Sequence, residues 1–348
     1  MKIIILGYNG LIGSSILDEL AKYLKKNHNF DLICVGRNIK NQPYKNKKIK
    51  YIKWNFLTFT KSKLYFLEKE NIIINCVGKN HSGNEKLKKI NVLFIKKLVS
   101  YIQYNKISIR FIHLGSVSVY GAEKKYFTRA RTITENSLTH PYDLYSKSKL
   151  EAESYIRSIS KTNKKNFSFT ILRIANVFSE LKNPNSFRLI NFLLNKGIWL
   201  KCSNQTKYHF IHAKDVALAV FLCILHFKKS RDKIYIVSDD INQFELHKIF
   251  ATGHISKLLK IPISLQILNF IVKNIPLPKT ILNFFLTISS QINYDNSKIR
   301  KELNFYSRHS LKKNFLKNIN EKKTNNRINS NYSLNNKFIY VKTYRSIK

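Results

Sequence analysis

The sequence is poor in cysteine, glycine and acidic residues, and its apolar runs are short. Four cysteines occur in 348 residues, at Cys34, Cys76, Cys202 and Cys223, and none belongs to a C-x-x-C pair. This spacing excludes a disulfide framework and a cysteine-based zinc site, and we expect no metal site. Because most of the four lie in apolar runs, buried thiols in a reducing compartment are expected.

Acidic residues are outnumbered by basic ones, 20 to 62, which leaves a formal net charge of +42 at pH 7. Lysine supplies most of the basic residues, and it is scattered over every segment instead of clustering with aromatic side chains. A nucleic-acid-binding surface is expected to be clustered and richer in arginine. We therefore interpret the lysines as a solvated surface and expect no nucleic-acid partner. Binding of DNA or RNA at moderate salt would contradict this interpretation.

The most apolar stretch, 261–288, reads IPISLQILNFIVKNIPLPKTILNFFLTI. A membrane-spanning helix needs about 20 apolar residues in succession, and this stretch is interrupted at Lys273, Pro276, Pro278 and Lys279. We predict no integral span here but helices of a small lobe. Peripheral contact of this stretch with a membrane surface is the alternative.

The apolar run at the start of the chain is too short for a signal peptide, because Gly7 and the polar Asn9 end it. A cytoplasmic protein is therefore expected. The hydrophobic content of 44% supports a packed core, and the length suffices for one large or two modest domains.

Only ten glycines occur in the chain, yet three of them fall within seven residues of the segment KIIILGYNGLIGSSIL. The apolar run 3–6 before them predicts a buried strand, and 14–20 continues with helical periodicity. A strand, a glycine turn and a helix start form the phosphate-binding corner of a dinucleotide-binding fold. A turn that only packs the strand against the helix is the alternative. The predicted cofactor-binding residues here are Gly7, Gly10, Leu11, Ile12 and Gly13.

Apolar strand patterns alternate with helical stretches along the next hundred residues. Further strands are predicted at 30–35, 49–55, 71–77 and 110–114, with a helix over 91–101. This alternation predicts an α/β fold in which a parallel, doubly wound sheet carries helices on both faces.

Arg37 follows the second predicted strand, in Gly36-Arg37-Asn38. A site for NAD usually places an acidic residue near this point to hold the ribose hydroxyls, whereas an arginine suits the 2′-phosphate of NADP. Either dinucleotide is compatible with the glycine turn, and Arg37 favours NADP.

A helix opened by Pro141 and Asp143 carries Tyr145 and Lys149 four residues apart, and hence on one face. A lysine ammonium beside a phenol lowers the phenol pKa from about 10, which makes the tyrosine a usable general acid or base. The Y-x-x-x-K pattern recurs elsewhere in this lysine-rich chain. Only Tyr145 follows the fifth predicted strand, its serine-rich end with Ser116 and Ser118, and a helix-opening proline in the order that a dehydrogenase site needs.

These motifs together resemble the extended short-chain dehydrogenase/reductases, specifically the NAD-dependent epimerase/dehydratase family that acts on nucleotide sugars. The resemblance runs from Lys2 to about Phe305. The matching segments, in chain order, are GYNGLIG, Asn91 in its helix, GSVSVYG, YSKSK, LRIANVFS, HFIHAKDVALAV and NYDNSKIRKELNF.

The resemblance implies roles for individual residues. Ser116, Tyr145 and Lys149 would be catalytic, Asn91 would belong to the cofactor site together with Tyr145 and Lys149, and Asn176 would lie at the substrate phosphates. The expected partner is a nucleotide-diphosphate sugar, bound by Ser116, Ser118, Asn176 and Lys207.

Several positions depart from the family pattern. The arginine that clamps the sugar-nucleotide diphosphate is replaced by Tyr208, with Lys207 beside it, so diphosphate binding at this point is altered. Dehydratase members carry an Asp-Glu pair where this chain has Ser118 and Val119, which argues against a dehydratase. The segment IVSDDINQFEL at 236–246, with the proline-rich stretch after it, resembles the small lobe of 4-keto-sugar reductases of surface-polysaccharide synthesis.

The sequence therefore predicts a Rossmann-type domain over 1–175 with a return segment at about 207–240, and a substrate-binding lobe from 176–206 and 241–310. The tail 311–348 is rich in lysine and asparagine and is predicted to be disordered. The expected activity is a UDP-glucose 4-epimerase-like hydride transfer at the sugar C4, with an NADP-dependent 4-keto-sugar reductase as the alternative. A non-catalytic dinucleotide-binding module is the alternative from another class. A homodimer is expected.

Overall fold

The computed structural model describes residues 1–25, 30–39, 42–67, 71–80, 83–121, 130–179, 188–190, 192–193, 196–203, 205–243, 245 and 259–309. The tail predicted at 311–348 lies outside the described residues.

Seven parallel strands form the main sheet, in the order β11-β7-β5-β4-β1-β2-β3. Most of these strands are buried along nearly their whole length, as expected for strands covered on both faces. The strands are β1 (Lys2–Leu6), β2 (Asp31–Gly36), β3 (Ile49–Lys53), β4 (Asn71–Asn75), β5 (Ile109–Ser116), β7 (Phe167–Ile174) and β11 (Lys233–Val237). The order reverses between β1 and β4, and a ligand crevice is expected at the carboxyl ends of these two strands.

Helices cover both faces of the sheet. On one face α1 (Leu11–Lys25) packs against α5 (Ala213–Leu225), where the rings of Tyr23 and Phe221 stack with centroids 3.7 Å apart. The other face holds α2 (Asn84–Lys88), a π-helical stretch (Lys89–Leu93), α3 (Phe94–Tyr104) and α4 (Leu144–Thr162). Short helices are α6 (Phe227–Ser230) and α9 (Ser297–Leu303).

A second apolar core lies outside the main sheet, around Trp199, Tyr208, Phe210 and Phe284. Its strands are β8 (Asn176–Phe178), β9 (Ile198–Lys201), β10 (Lys207–His212), β12 (Asp239–Asn242) and β13 (Leu259–Pro262), with helices α7 (Leu265–Asn274) and α8 (Lys279–Ser289). The order β12-β10-β8 forms a three-stranded sheet, β13 pairs with β9, and β14 (Ile292–Tyr294) pairs with β6 (Arg131–Ile133). The predicted return segment thus contributes β11 to the main sheet and β10 to the smaller sheet, and the division into two domains stays a prediction.

The predicted α/β fold with a doubly wound parallel sheet is confirmed. Two strands end two residues earlier than predicted: β3 at Lys53 and β4 at Asn75. In both cases an asparagine side chain bonds to the backbone two residues further on and turns the chain. The Asn75 side chain accepts a hydrogen bond from the Val77 N–H at 3.2 Å, and Asn55 accepts one from Leu57 at 3.2 Å.

The structure also bears on the expected burial of the cysteines and on the expected lack of a membrane span. Of the cysteines, Cys34 and Cys223 are buried, as expected, while Cys76 and Cys202 are only partly so. Among the described residues, no helix combines the length and apolarity needed to cross a bilayer.

Candidate active site

The glycine turn after β1 is built around close backbone contacts. Gly7 has a φ of 82°, a left-handed conformation that favours glycine, and its carbonyl accepts a hydrogen bond from Gly10 N–H at 3.0 Å. A Cβ on Gly13 would collide with the Gly7 carbonyl oxygen. Leu11 and Ile12 then open α1 with their N–H groups at its first turn. This cradle, in which Gly7, Gly10 and Gly13 leave the backbone uncovered, fits a pyrophosphate at a helix N-terminus.

The turn after β2 lies beside the glycine turn. The Tyr8 hydroxyl donates to the Asn38 carbonyl at 3.2 Å, and the Asn9 side chain donates to the same oxygen at 2.9 Å. Arg37, which directly precedes Asn38, is exposed. The structure therefore keeps Arg37 next to the proposed dinucleotide cradle, where the sequence placed it.

Tyr145 lies in the first turn of α4, which is fixed by a capping box. The Asp143 side chain accepts from the Ser146 N–H at 2.8 Å, and the Ser146 hydroxyl accepts from the Asp143 N–H at 3.1 Å. This cap sets the direction of α4 and places the Tyr145 phenol beside the Ser116 side chain at the end of β5, where Ser116 acts to lower the pKa of Tyr145. Ser116 also accepts a hydrogen bond from the Ser118 hydroxyl at 2.9 Å.

Lys149 is buried one turn after Tyr145 on α4, with 6% of its surface exposed. Its Nζ donates to the Leu114 carbonyl at 2.9 Å and lies 6.0 Å from the centre of the Tyr145 ring. Burial lowers the pKa of Lys149 to about 8, while the nearby Glu153 and Cys76 act to raise it. Lys149 therefore gives up its proton more readily than a solvated lysine does.

The expectation that Lys149 lowers the pKa of Tyr145 is wrong for this structure. The pKa of Tyr145 is raised, because burial disfavours the phenolate and the Asp143 carboxylate adds to this, while only the Ser116 hydrogen bond lowers it. The Lys149 ammonium is directed at the Leu114 carbonyl and not at the phenol oxygen. Ser116 is thus the group that makes Tyr145 more acidic here.

Asn91 joins the loop after β4 to α4 and is 1% exposed. Its side chain accepts from the Lys79 N–H at 2.8 Å and donates to the Lys79 carbonyl at 2.9 Å and to Ser148 Oγ at 3.0 Å. The residue lies in the π-helical stretch between α2 and α3, a distortion found often at functional sites. Asn91 therefore holds this loop against the helix that carries Tyr145.

Gly78 was not among the predicted site residues, yet it lies against two of them, Lys149 and Asn91. A Cβ at Gly78 would lie 3.2 Å from Lys149 Nζ and 3.6 Å from Asn91 Oδ1. Two residues earlier in the same loop, the Cys76 backbone would lie 3.3 Å from a Cβ on Gly7. The signal for Gly78 in the sequence was its place directly after an apolar strand.

Asn176 and Lys207 lie in the smaller sheet, and no described contact joins either to Ser116. Asn176 is exposed two residues after Ile174, which pairs with Ser116 in the main sheet, so it lies at the same sheet edge. Lys207 Nζ donates to Asn293 Oδ1 at 2.6 Å. Their substrate-binding roles stay predictions.

Tyr208, which stands where the family has its diphosphate-binding arginine, belongs to the core. It is 1% exposed, and its hydroxyl accepts a hydrogen bond from Gln243 Nε2 at 2.9 Å. Its side chain is therefore directed away from solvent.

A buried ion pair behind the site also escaped sequence reasoning. Glu153 Oε2 accepts from Arg173 Nε at 3.0 Å and Nη2 at 2.9 Å, and Arg173 Nη1 donates to the Tyr120 hydroxyl at 2.8 Å. Glu153 lies four residues after Lys149 and so on the same face of α4. The positions of Glu153 after YSKSK and of Arg173 within LRIANVFS were the available signals.

A second buried polar pair fills the space beneath Lys149. His113 Nδ1 and Asn75 Nδ2 are 3.0 Å apart, and burial, with the Lys149 charge, holds the pKa of His113 well below its usual range. His113 is therefore a neutral imidazole at pH 7. Among the described residues, no group of histidine, cysteine, aspartate and glutamate side chains is placed to hold a metal ion.

The sheet, glycine cradle and Ser-Tyr-Lys arrangement define a dinucleotide-dependent enzyme of the short-chain dehydrogenase/reductase class. The chain belongs to the NAD dependent epimerase/dehydratase family, whose model matches residues 3–238. The family membership expected from the motifs is thus confirmed, as is an enzyme of this family. No curated protein matches the chain.

Solved structures of similar fold come from several bacteria. UDP-glucuronic acid 4-epimerase from Bacillus cereus, in complex with NAD, is 17% identical with a TM-score of 0.65, over 91% of this chain and 96% of that one. dTDP-glucose 4,6-dehydratase from Bacillus anthracis, in complex with NAD, is 14% identical with a TM-score of 0.65, over 94% and 98%. A short-chain dehydrogenase/reductase superfamily protein from Agrobacterium tumefaciens with bound NAD is 12% identical with a TM-score of 0.68, over 95% and 99%. At these identities the likeness establishes the fold.

Proposed function

We propose that the protein is a nucleotide-sugar 4-epimerase that acts on a nucleotide-diphosphate sugar, in sugar-nucleotide or surface-polysaccharide metabolism. The observation that carries the proposal is the placement of Tyr145 beside Ser116 at the end of β5, together with the buried Lys149 that contacts Leu114 on the same strand and the Asn91 clamp. A non-catalytic dinucleotide-binding module would have no need of this arrangement. Epimerases and dehydratases are among the proteins of similar fold.

The dinucleotide would be held by the backbone from Gly7 to Gly13, by Asn91 and by Lys149. The bound dinucleotide would supply reversible hydride transfer at the sugar C4, and return of the hydride to the opposite face of the 4-keto sugar would give the C4 epimer. Tyr145 would accept the proton of the C4 hydroxyl in its ionised form, which Ser116 favours, and give the proton back, a general acid–base role. Ser116 would donate a hydrogen bond to the reacting oxygen as its charge changes.

The diphosphate of the substrate would be bound differently from the family pattern. Since Tyr208 is buried, we propose that Lys207 and Asn176 contact the phosphates from the smaller sheet. Binding of a phosphate oxygen would replace the hydrogen bond that Lys207 now makes with Asn293. Ser118 would line the sugar pocket beside Ser116.

An NADP-dependent 4-keto-sugar reductase is the second candidate, favoured by the exposed Arg37 after β2. The cofactor is thus NAD or NADP, and the two reactions share one site. A dehydratase is disfavoured, because Ser118 and the buried Val119 supply no carboxylate at the two positions where dehydratases carry one.

A panel of UDP-, GDP- and dTDP-sugars with each dinucleotide, followed by product analysis, tests the proposal. We expect a purified enzyme that interconverts C4 epimers without consuming added cofactor. Stoichiometric consumption of NADPH with a 4-keto-sugar would favour the reductase instead. Dinucleotide binding with no turnover of any sugar would favour the non-catalytic module. We also propose that the protein is a homodimer and that it is cytoplasmic. Light scattering on the purified protein tests whether it is a dimer.

A further inference from the structure

Several large apolar side chains are exposed on the elements that follow β12. Ile267 and Phe270 on α7 are 60% and 64% exposed, although soluble surfaces usually keep such side chains scattered. We define the apolar face by the exposed side chains of α7 and of the residue after it: Ile267, Phe270 and Ile275.

The helix α7 is amphipathic, with one side anchored and the other open. Leu268 is 2% exposed and packs inward, and the Ser264 side chain caps the helix by accepting from the Gln266 N–H at 3.2 Å. Ile267 and Phe270 lie three residues apart, on one side of the helix. The neighbouring α8 buries Phe284 and Ile288 in the smaller core. The apolar face is therefore held by a packed scaffold.

The sequence segment that carries this face contains charges of one sign only. From residue 246 to residue 294 the chain contains no aspartate or glutamate, although acidic residues occur on both sides of the segment. The basic residues within it are Lys248, Lys257, Lys260, Lys273 and Lys279. A second copy of the chain would carry the same surplus of positive charge, which is unfavourable across a two-fold contact. An anionic partner with an apolar interior complements the face.

We propose that the apolar face docks peripherally on an anionic lipid bilayer. Ile267 and Phe270 would enter the boundary between headgroups and acyl chains, while the exposed Lys260 on β13 would contact lipid phosphates. Such a contact spans nothing and leaves the glycine cradle and Tyr145 on other elements. Docking would hold the enzyme beside reactions that use nucleotide sugars at a membrane surface.

Sedimentation with lipid vesicles tests this proposal on the full chain. Because a net charge of +42 attracts any anionic surface, the comparison must separate charge from apolar insertion. The double variant Ile267→Glu/Phe270→Glu is compared with Tyr65→Glu/Leu138→Glu, which carries the same charge change at side chains 71% and 73% exposed elsewhere. The vesicles are phosphatidylcholine alone or mixed with phosphatidylglycerol.

We expect the first pair to weaken binding to the mixed vesicles about tenfold or more, and the control pair to weaken it much less. Equal weakening by both pairs would overturn the proposal, since charge alone would then explain the binding. A change of oligomeric state in Ile267→Glu/Phe270→Glu, with vesicle binding unaltered, would assign the face to contact between copies instead.

A fluorescent reporter provides a second measurement that does not depend on the acidic variants folding. The native tryptophans Trp54 and Trp199 are 2% and 4% exposed, so a Phe270→Trp variant adds the one exposed indole among the described residues. We expect its emission to shift to shorter wavelength with the mixed vesicles and to be quenched by brominated acyl chains. Emission that stays unquenched while the protein sediments would contradict insertion.

Discussion

Burial acts in opposite directions on the two titrating residues of the candidate site. It raises the pKa of Tyr145 and lowers that of Lys149 to about 8, because in each case it disfavours the charged form. In the free protein the phenol is therefore protonated, and the Ser116 hydrogen bond is the contact that favours its ionisation. Ser116 accordingly acts on Tyr145 as well as on the substrate oxygen.

Removing the Tyr145 hydroxyl should abolish most of the activity and leave the fold intact. Since general acid–base catalysis contributes about 10²–10⁴-fold, we expect Tyr145→Phe to lower kcat by that factor in an epimerisation assay. The matched control is Tyr155→Phe on the same helix, whose hydroxyl is 2.6 Å from Ser100 Oγ. If both variants keep full activity, Tyr145 is not the proton carrier.

Replacing Lys149 by methionine should change how stability depends on pH. The wild-type pKa of Lys149 is lowered from 10.5 to about 8, so the unfolded chain binds more protons between these values and stability rises with pH. Above pH 10.5 Lys149 is neutral in both the folded and the unfolded protein, and the free energy of unfolding carries no penalty for burying its charge. As the pH falls from 10.5 through 8, this part of the free energy of unfolding is lost. It corresponds to about 3 kcal/mol.

Denaturant unfolding of both proteins from pH 7 to pH 10.5 measures this effect. We expect the free energy of unfolding of the wild type, relative to Lys149→Met, to increase over this range. The difference cancels the titration of the other groups. A difference that stays constant with pH would show that Lys149 titrates normally in the folded protein.

Residue order identified Tyr145 among several Y-x-x-x-K pairs, but the sequence could not give its pKa. The spacing of four residues places Lys149 on the same helix face, which suggested that its ammonium would act on the phenol. Which carbonyl the ammonium contacts depends on β5, a separate strand, and on how deeply both groups are buried. Both the contact and the burial are set by tertiary packing, which the local sequence does not determine.

At the level of elements, the buried Glu153–Arg173 pair ties α4 to β7. The side chains are 1% and 3% exposed, and a Cβ on Gly115 in the intervening β5 would lie 2.6 Å from Glu153 Oε1. The absence of a side chain at Gly115 therefore makes room for the carboxylate beneath the sheet edge. Through this pair, β7 helps to fix the helix that carries Tyr145 and Lys149.

Breaking this pair from one side should be strongly destabilising. Arg173→Met leaves the Glu153 carboxylate buried without its partner, and such changes cost about 3–5 kcal/mol. The exposed Arg231→Met is the control, with an expected change within about 0.5 kcal/mol. Adding Glu153→Gln to Arg173→Met should restore part of the loss, because a buried amide costs less than a buried carboxylate. No recovery would mean that Arg173 stabilises by packing alone.

The glycine cradle makes a prediction about dinucleotide binding. Gly13→Ala should abolish binding or unfold α1, because the added Cβ meets the Gly7 carbonyl. Gly83→Ala is the control, since a Cβ there meets nothing within 4 Å. Calorimetric titration with NAD and NADP, with thermal unfolding alongside, measures both effects. Undiminished binding by Gly13→Ala would show that the cradle is not the dinucleotide site.

The elements around the glycine turn could be predicted because their signals are local: apolar runs, glycines and caps. The predicted strands overlap β1 to β5 in the structure, and Asp143 caps α4 as the sequence indicated. The π-helical stretch around Asn91 could not be predicted, since it depends on contacts with Lys79 and Ser148. The burial of Tyr208 likewise depends on Gln243, which follows β12 and is distant in sequence.

On the scale of the whole molecule, the surplus of 42 positive charges must act against compactness. Each acidic residue can neutralise only one basic residue, so most lysines and arginines have no acidic partner. Bringing like charges together destabilises a folded chain through self-repulsion. At physiological concentrations, salt screens the repulsion between exposed charges that are more than about 8–10 Å apart.

Added sodium chloride should therefore stabilise this protein, although salt weakens individual surface ion pairs. We expect the Tm to rise by about 2–5 °C between low salt and physiological salt, equivalent to about 1–2 kcal/mol for a chain of this size. The control is a variant with five exposed lysines changed to glutamate, at Lys45, Lys47, Lys61, Lys63 and Lys228. Its net charge falls by ten, so its Tm should depend less on salt. Equal slopes for the two proteins would mean that ion-specific effects, and not screened repulsion, set the response.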